Sequence, residues 1–439
     1  MKNVLTGWLI LAWSFSAPLM AQHVVPLSLD DALTAAWKNN KEIVMALLEE
    51  ESAEASFRQT HSVFLPQIKV SYTAMSTNNP LNAFGFKLQQ QTITQADFNP
   101  ALLNNPSGTQ NFMTKAEWQQ PVLNIDRLYM RKAANEQRAV YSYKAKRTKE
   151  FLTFEVRKAY AQLQLAYQGR NVLEEAVQTI NAIYTVSRNR FEKGLLQKSD
   201  VLHVQVLVAT TETQLAQAKS NVQNASDNIG LLMGAITGVI YEVDKTSGVV
   251  SMENDATEVP ATRADFLAMQ SAVAAQDLMI NSGKMSYLPK LNGFAEYLIN
   301  DKNAFGFGSS SYLAGAQLSW TLFNGMTTQN KIEQQRIEQK KTVEQLNDLK
   351  ARSQLELNKT LREEHDARLA LQQYETAVTQ ATEALRILQN RYQQGLAATH
   401  DLLQSQTLLS QQKLNYAQAV FNINTTNAYL QFLTSTSTK

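Results

Sequence analysis

The sequence predicts a mainly α-helical chain with a membrane β part, built from two copies of one structural unit. Three observations lead there. Prolines leave two long stretches uninterrupted. Sequence landmarks recur at offsets of 200 to 223 residues. Four short segments alternate apolar and polar residues, with no charge on the apolar side.

Beyond the first twenty residues, proline occurs at 26, 66, 80, 100, 106, 121, 260 and 289, so residues 122–259 and 290–439 contain none. Proline breaks helices, and these two stretches are therefore free to be helical. Leu152, Val156, Ala159, Leu163, Ala166, Leu173, Val177, Ile180 and Tyr184 follow 4-3 spacing, with Arg170 in one polar slot; Leu371, Tyr374, Val378, Ala381, Leu385, Leu388 and Tyr392 repeat it. A helix from Asp126 to Arg190 is roughly 97 Å long at 1.5 Å per residue, beyond ordinary globular helices. Gly194 and Gly395 are of the residue type that caps helix C-termini. They predict tip hairpins near 190–200 and 391–401, with returning helices carrying Leu402, Leu409, Tyr416, Ile423 and Leu430.

The halves correspond in order. Leu65-Pro66 matches Leu288-Pro289, and Asn82-Ala83-Phe84-Gly85-Phe86 matches Asn303-Ala304-Phe305-Gly306-Phe307. Val122-Leu123-Asn124 matches Leu322-Phe323-Asn324. Arg190 to Leu195 matches Arg391 to Leu396, and Asp200 matches Asp401. Two repeats, 29–234 and 262–435, are thus expected, joined by a non-helical linker, 235–261. The first repeat carries an insertion within 87–110 whose Asn99-Pro100 and Asn104 to Gly108 read as turn chemistry.

Strands are expected near 67–76, 110–120, 290–300 and 311–322. Ile68, Val70, Tyr72 and Ala74 share one face with Lys69, Ser71 and Thr73 opposite, and the other three segments alternate likewise. Each approaches the 9–11 residues of a membrane strand. A lipid-facing Lys or Arg at mid-bilayer costs about 2–4 kcal/mol, so uncharged apolar faces fit a membrane barrel. Tyr72, Trp118, Tyr297, Tyr312 and Trp320 are candidates for an interfacial aromatic girdle. A soluble sandwich with one wet face is the alternative for any single strand. Four strands cannot close a barrel, and open edges in lipid leave backbone groups unsatisfied, so the chain must oligomerise: two copies supply 8 strands and three supply 12. Lys2, the apolar run Leu5 to Ala17 and Leu19-Met20-Ala21 form an export signal, 1–21, cut after Ala21.

The net charge of +2 excludes the basic footprint of a nucleic-acid binder. Charged residues make up 18%, while 41 Gln and 32 Asn supply uncharged polarity suited to a water-filled wall. With no Cys there is no disulfide scaffold, thiolate site or Cys-linked lipid anchor. His61, His203, His365 and His400 are scattered without metal-ligand spacing, and no catalytic motif or cofactor site appears. Rival readings are a periplasmic coiled-coil adaptor, a structural protein of the cell envelope and a passive porin. Two hairpins without Gly-rich lipoyl-like halves disfavour the adaptor, the strands disfavour a rod, and the long helices disfavour the porin.

Leu-Pro before a strand, a strand returning into a long helix, and R-F/Y-x-x-G-L-x-x-x-x-D at the tip, all duplicated, resemble the TolC-type outer-membrane efflux protein family (outer membrane factor) over roughly Leu29 to Ser435. The resemblance implies a homotrimer with a 12-stranded outer-membrane barrel and a long periplasmic α-helical coiled-coil tunnel, with the linker in a mixed equatorial region. It implies an exit duct for efflux or type I secretion, seated in outer-membrane lipid and docked at its tips to a periplasmic adaptor and an inner-membrane pump. Arg190, Gly194, Leu195, Arg391, Gly395 and Leu396 are the docking candidates, and Asp200, Tyr392 and Asp401 the gate candidates. The family pattern implies an Asp200–Tyr392 bond; helix N-capping by Asp200 and Asp401 is the alternative. The chain departs from the family at Ala397, where an Arg partner is absent, at Gln404, where a second acidic ring is absent, in lacking a lipidated Cys, and in the 87–110 insertion.

Overall fold

The computed structural model describes residues 24–235, 238–244 and 257–436; the expected leader 1–21 and linker residues 236–237 and 245–256 lie outside the described residues. In chain order the elements are β1 (Val24–Leu27), α1 (Leu29–Asn39), α2 (Lys41–Gln59), β2 (Gln67–Thr77), α3 (Pro80–Gln89), α4 (Pro100–Asn104) and β3 (Thr109–Leu123). They continue with α5 (Ile125–Glu192), α6 (Lys198–Leu232), β4 (Ile240–Val243), α7 (Ala264–Met285), β5 (Lys290–Asp301), β6 (Ser309–Ser319), α8 (Thr327–Gln393) and α9 (Thr399–Leu433). The two proline-free stretches hold the 68-residue α5 and the 67-residue α8.

The chain divides into two compact units, each drawing on both repeats. One comprises the chain up to Ile43, Lys149–Thr257 and Leu357–Leu433. In it, Ser28 accepts a hydrogen bond from the Asp31 amide and starts α1, with Asp30 and Asp31 favourably placed at the positive helix end. β1 pairs in parallel with β4, from Val24 opposite Ile240 to Leu27 opposite Val243. Neither strand was expected: each has only four residues, too few for alternation to be read. Tyr160 Oη donates to Leu27 O (3.1 Å) and Tyr167 Oη to Tyr241 O (2.9 Å), clamping this ladder onto α5. Burial pushes both phenols above their ordinary pKa. Around the clamp, Leu33, Leu152, Val156, Leu163 and Ile229 form a continuous core. A second cluster, with Ile180, Val204, Leu385, Tyr392 and Leu402, holds the hairpin ends.

The other unit comprises Val44–Thr148, Glu258–Glu356 and the chain from Thr434. Its sheet has strand order β2-β3-β5-β6, antiparallel throughout. α2 packs on α5 through Arg138, which bonds Glu54 (2.9 Å) and lies over the Phe57 ring. Asp126, at the start of α5, accepts from Lys290 Nζ of β5 (2.6 Å) and, through its carbonyl, from Ser282 Oγ of α7 (2.8 Å). The fourth strand ends at Ser319 rather than near residue 322. Ser319 pairs with Lys290, the first residue of β5, and the preceding Pro289 has no N–H to extend the ladder.

In the excursion between β2 and β3, Asn99-Pro100 differs from the expectation of a turn. Asn79-Pro80 and Asn99-Pro100 open helices: Asn79 Oδ1 accepts from Asn82 N, Asn99 Oδ1 accepts from Ala101 N, and each proline occupies the first helical position. The repeated pentapeptide therefore adopts two structures. Asn82–Phe86 lies inside α3, whereas Asn303–Phe307 is a loop with Phe305 and Phe307 at positive φ.

Leu163 is fully buried. Leu163→Ala is expected to destabilise its unit by about 2–5 kcal/mol through transfer and cavity terms, seen as a lower thermal midpoint of the solubilised protein.

Candidate channel wall and helical tips

The sheet register turns four separate alternations into two continuous faces. Ile68 stands opposite Trp118, Trp118 opposite Ala295, and Ala295 opposite Ala314; the next row is Val70, Ala116, Tyr297 and Tyr312. Opposed residues share a face, so the uncharged apolar sides join. Asp301, opposite Phe112 at the far end of β5, is the one charge on this face and is occupied by the Asn303 amide (2.7 Å). Ile68 and Val70 are each about 70% exposed, at 71% and 68%. Eleven residues at about 3.4 Å each, tilted about 40°, cover roughly 28 Å, against the about 25 Å of an outer-membrane apolar band.

The opposite face is polar. Lys69, Glu117 and Glu296 form a cross-strand row, and Lys115 Nζ bridges Glu117 (2.5 Å) and Glu296 (2.9 Å). Among the aromatic candidates, Trp118 and Trp320 lie toward the helical end of the sheet, and Tyr72 is the middle residue of β2, between its helical and excursion ends. Tyr297 and Tyr312 oppose one another between these ends. Tyr72 stacks on Phe305 (5.0 Å between centroids) and on Phe112 (6.4 Å). Phe112 belonged to an expected strand, but Phe305 carried no periodic signal, because it reaches the sheet from a loop.

At the hairpin ends, both long helices close alike. Gly194 N bonds Phe191 O and Leu195 N bonds Arg190 O; Gly395 N bonds Tyr392 O and Leu396 N bonds Arg391 O. Gly194 and Gly395 have φ of +72° and +78°, the left-handed conformation this closure needs. Leu195, Leu396 and Arg391 are exposed. Arg190 is not free: its Nη2 donates to Tyr392 O (2.7 Å), and its guanidinium lies 4.3 Å from the Tyr392 ring centroid.

Tyr392 is the hub. It is buried, and its hydroxyl pairs with Ser187 Oγ (3.0 Å) and Thr399 Oγ1 (3.2 Å). Within one chain it does not bond Asp200. Neither tip aspartate is an N-cap: α6 starts at Lys198 and α9 at Thr399, so Asp200 and Asp401 are the third residues of their helices. There they favour the positive helix ends by charge. Ser187 and Thr399 had no distinguishing sequence pattern; only the hairpin fold brings them to Tyr392. His203 and His400 line one groove with Val206, Leu207 and Leu403. Among the described residues no group of three or more metal-ligating side chains occurs, and no helix is long and apolar enough to cross a membrane.

The chain thus carries a four-stranded sheet with one largely apolar face and two long helical hairpins that repeat one pattern. The chain matches the outer membrane efflux protein family over residues 32–235 and 257–436 and belongs to that family, which is made of channels rather than enzymes. It is 19% identical over 316 residues to the probable outer membrane lipoprotein SilC of Salmonella typhimurium; the match covers 70% of this chain and 64% of that relative's length. The fold is shared with CusC, whose structures concern transmembrane channel formation: TM-score 0.79 and 14% identity, covering 94% of this chain and 93% of CusC. It is also shared with the outer membrane protein VceC of Vibrio cholerae: TM-score 0.75 and 16% identity, covering 93% and 96%.

Three outcomes are expected. A lipid-facing Arg costs about 2–4 kcal/mol at mid-bilayer, so Val70→Arg on the apolar face should reduce membrane-inserted protein, whereas Ser71→Arg on the opposite face should insert normally. Tyr392→Phe removes two hydroxyl partners and should lower stability by about 0.5–1.5 kcal/mol, measured by urea unfolding of the helical signal. In the excursion, the hydrogen bond from Lys87 Nζ (2.6 Å), then those from Thr94, hold Asp97 at about 2, below its ordinary 3.8. A depressed carboxyl stabilises above its ordinary pKa and loses that contribution as pH falls toward the depressed value. Amide exchange over 87–98, corrected for intrinsic rates, should therefore accelerate between about pH 4 and pH 2.

Proposed function

We propose that the chain is the outer-membrane exit duct of a tripartite efflux or type I secretion system, working as a homotrimer. Three four-stranded sheets close a 12-stranded barrel wide enough to leave a lumen. The uncharged face meets lipid, and the row of Lys69, Glu117 and Glu296 lines the lumen. The helical hairpins extend into the periplasm as a coiled-coil tunnel, after export by the leader 1–21 and without lipidation. The carrying observation is the four-stranded sheet whose apolar face bears one charge, Asp301 at the far end of β5, in a chain of this family.

The tips supply the gate and the dock. Exposed Leu195 and Leu396, each just past a helix-closing glycine, offer apolar knobs to a periplasmic adaptor, with Arg391 beside them; the inner-membrane pump acts through that adaptor. Asp200 and Asp401 form rings of negative charge at the tunnel end. Arg190 and Tyr392 hold the two hairpins of one chain together, so that opening swings them as a pair. The Asp200–Tyr392 latch then belongs to a tip arrangement in which the Tyr392 hydroxyl has left Ser187 and Thr399.

The duct should produce stepwise conductance in planar bilayers, and deleting its gene should raise dye accumulation in cells. The double variant Leu195→Asp/Leu396→Asp should keep the conductance and lose export. Unimpaired export in that variant would remove the tips as the docking site; absence of conductance in the unaltered protein would remove the duct.

A further inference from the structure

The two excursions at the far end of the sheet fold onto opposite faces. The β2–β3 excursion is fastened to the polar face. Gln90 Nε2 donates to Asn111 Oδ1 (3.0 Å) and Gln110 O (2.7 Å), Asn111 Nδ2 donates to Asn300 Oδ1 (2.9 Å), and Ser309 Oγ donates to Gln89 O. By strand alternation, Asn111 and Asn300 share the face of Lys115 and Glu296. Asn111, Asn300 and Gln90 are all buried and mutually bonded, so this clasp specifies one position. The β5–β6 excursion turns the other way: the Phe305 amide donates to Tyr72 Oη (3.1 Å), and the rings stack on the apolar face. The excursion that carries the pentapeptide thus lies against the polar face in one repeat and against the apolar face in the other.

We propose that the first excursion roofs the outer mouth of the duct, where three copies of Leu81, Leu88, Phe98 and Leu102 meet to form an apolar constriction, separate from the helical tips. The proposal rests on the barrel reading given under Proposed function. These four side chains are each more than half exposed in the single chain, on a segment held to the lumen side beyond the strands. Closure of the sheet turns that side toward the axis, and the symmetry copies are the surfaces available there to cover them. An apolar constriction raises the cost of passage for water and hydrated ions, so it lowers the current through the duct without abolishing it. It therefore limits return of hydrophilic solutes at the mouth, whatever the state of the tips.

The chain contains no Cys, so single cysteines are unique probes. Leu81→Cys and Phe305→Cys both alter exposed positions. Reaction of Leu81→Cys with a charged thiol reagent from the outer side should change single-channel conductance about twofold, and a three-armed maleimide should link three chains. Phe305→Cys, on the lipid side, should be labelled without change in conductance. Complete labelling at Leu81→Cys with unchanged current and no cross-link would overturn the roof. Equal conductance changes at both positions would overturn the assignment of the excursions to opposite faces, and the roof with it. Loss of all conductance in the unlabelled, unaltered protein would instead overturn the duct reading.

Discussion

The structure turns on the two edges of one sheet. β2 and β6 each have a neighbour on one side only. In lipid an unpaired backbone group costs several kcal/mol, and no water can replace the missing strand. A four-stranded sheet with an apolar face 11 residues long is therefore incomplete as a single chain. Edge-to-edge pairing with further copies, as proposed, would satisfy those groups, and the same closure would put the polar row of Lys69, Glu117 and Glu296 inside. Each of the two strands that end a hairpin of the sheet leads into a long helix, β3 into α5 and β6 into α8.

Duplication supplies the helices twice but does not keep the halves equivalent. The strand-to-helix passage is nearly continuous from β3 into α5, while after β6 it needs Gly325 and Met326 at positive φ. The tips diverge in the same way. Phe191 is exposed, whereas Tyr392, its counterpart, is the buried hub that binds Ser187, Thr399 and the Arg190 guanidinium. The family relation is distant in sequence, 14–16% to the two solved structures named, yet more than nine-tenths of each chain superposes. Spacing rather than identity carries the fold.

What could be read from residues alone was whatever repeats with a period. Seven-residue spacing marked α5 and α8, two-residue spacing marked the four sheet strands, and the tip glycines marked the turns. What could not be read was aperiodic. β1 and β4 are too short to alternate. Asn99-Pro100 suits a turn and a helix start equally, and in the structure it opens α4. Asp200 and Asp401 look like caps, but the helices begin two residues earlier. Tyr392 was singled out by motif, while the partners it has in this structure, Ser187 and Thr399, were not, since their meeting depends on three helix ends converging. Asn111, Asn300 and Gln90 were likewise invisible, because buried amides differ from the chain's many exposed ones only by where the strands bring them.

Closure of the sheet by other copies is the central claim, and the mass of the folded assembly in a lipid disc tests it most directly. Native mass spectrometry should give three chains per particle, with the sheet resistant to protease. A particle holding one chain, with the sheet equally resistant, would show that the edges need no partner and would contradict the account.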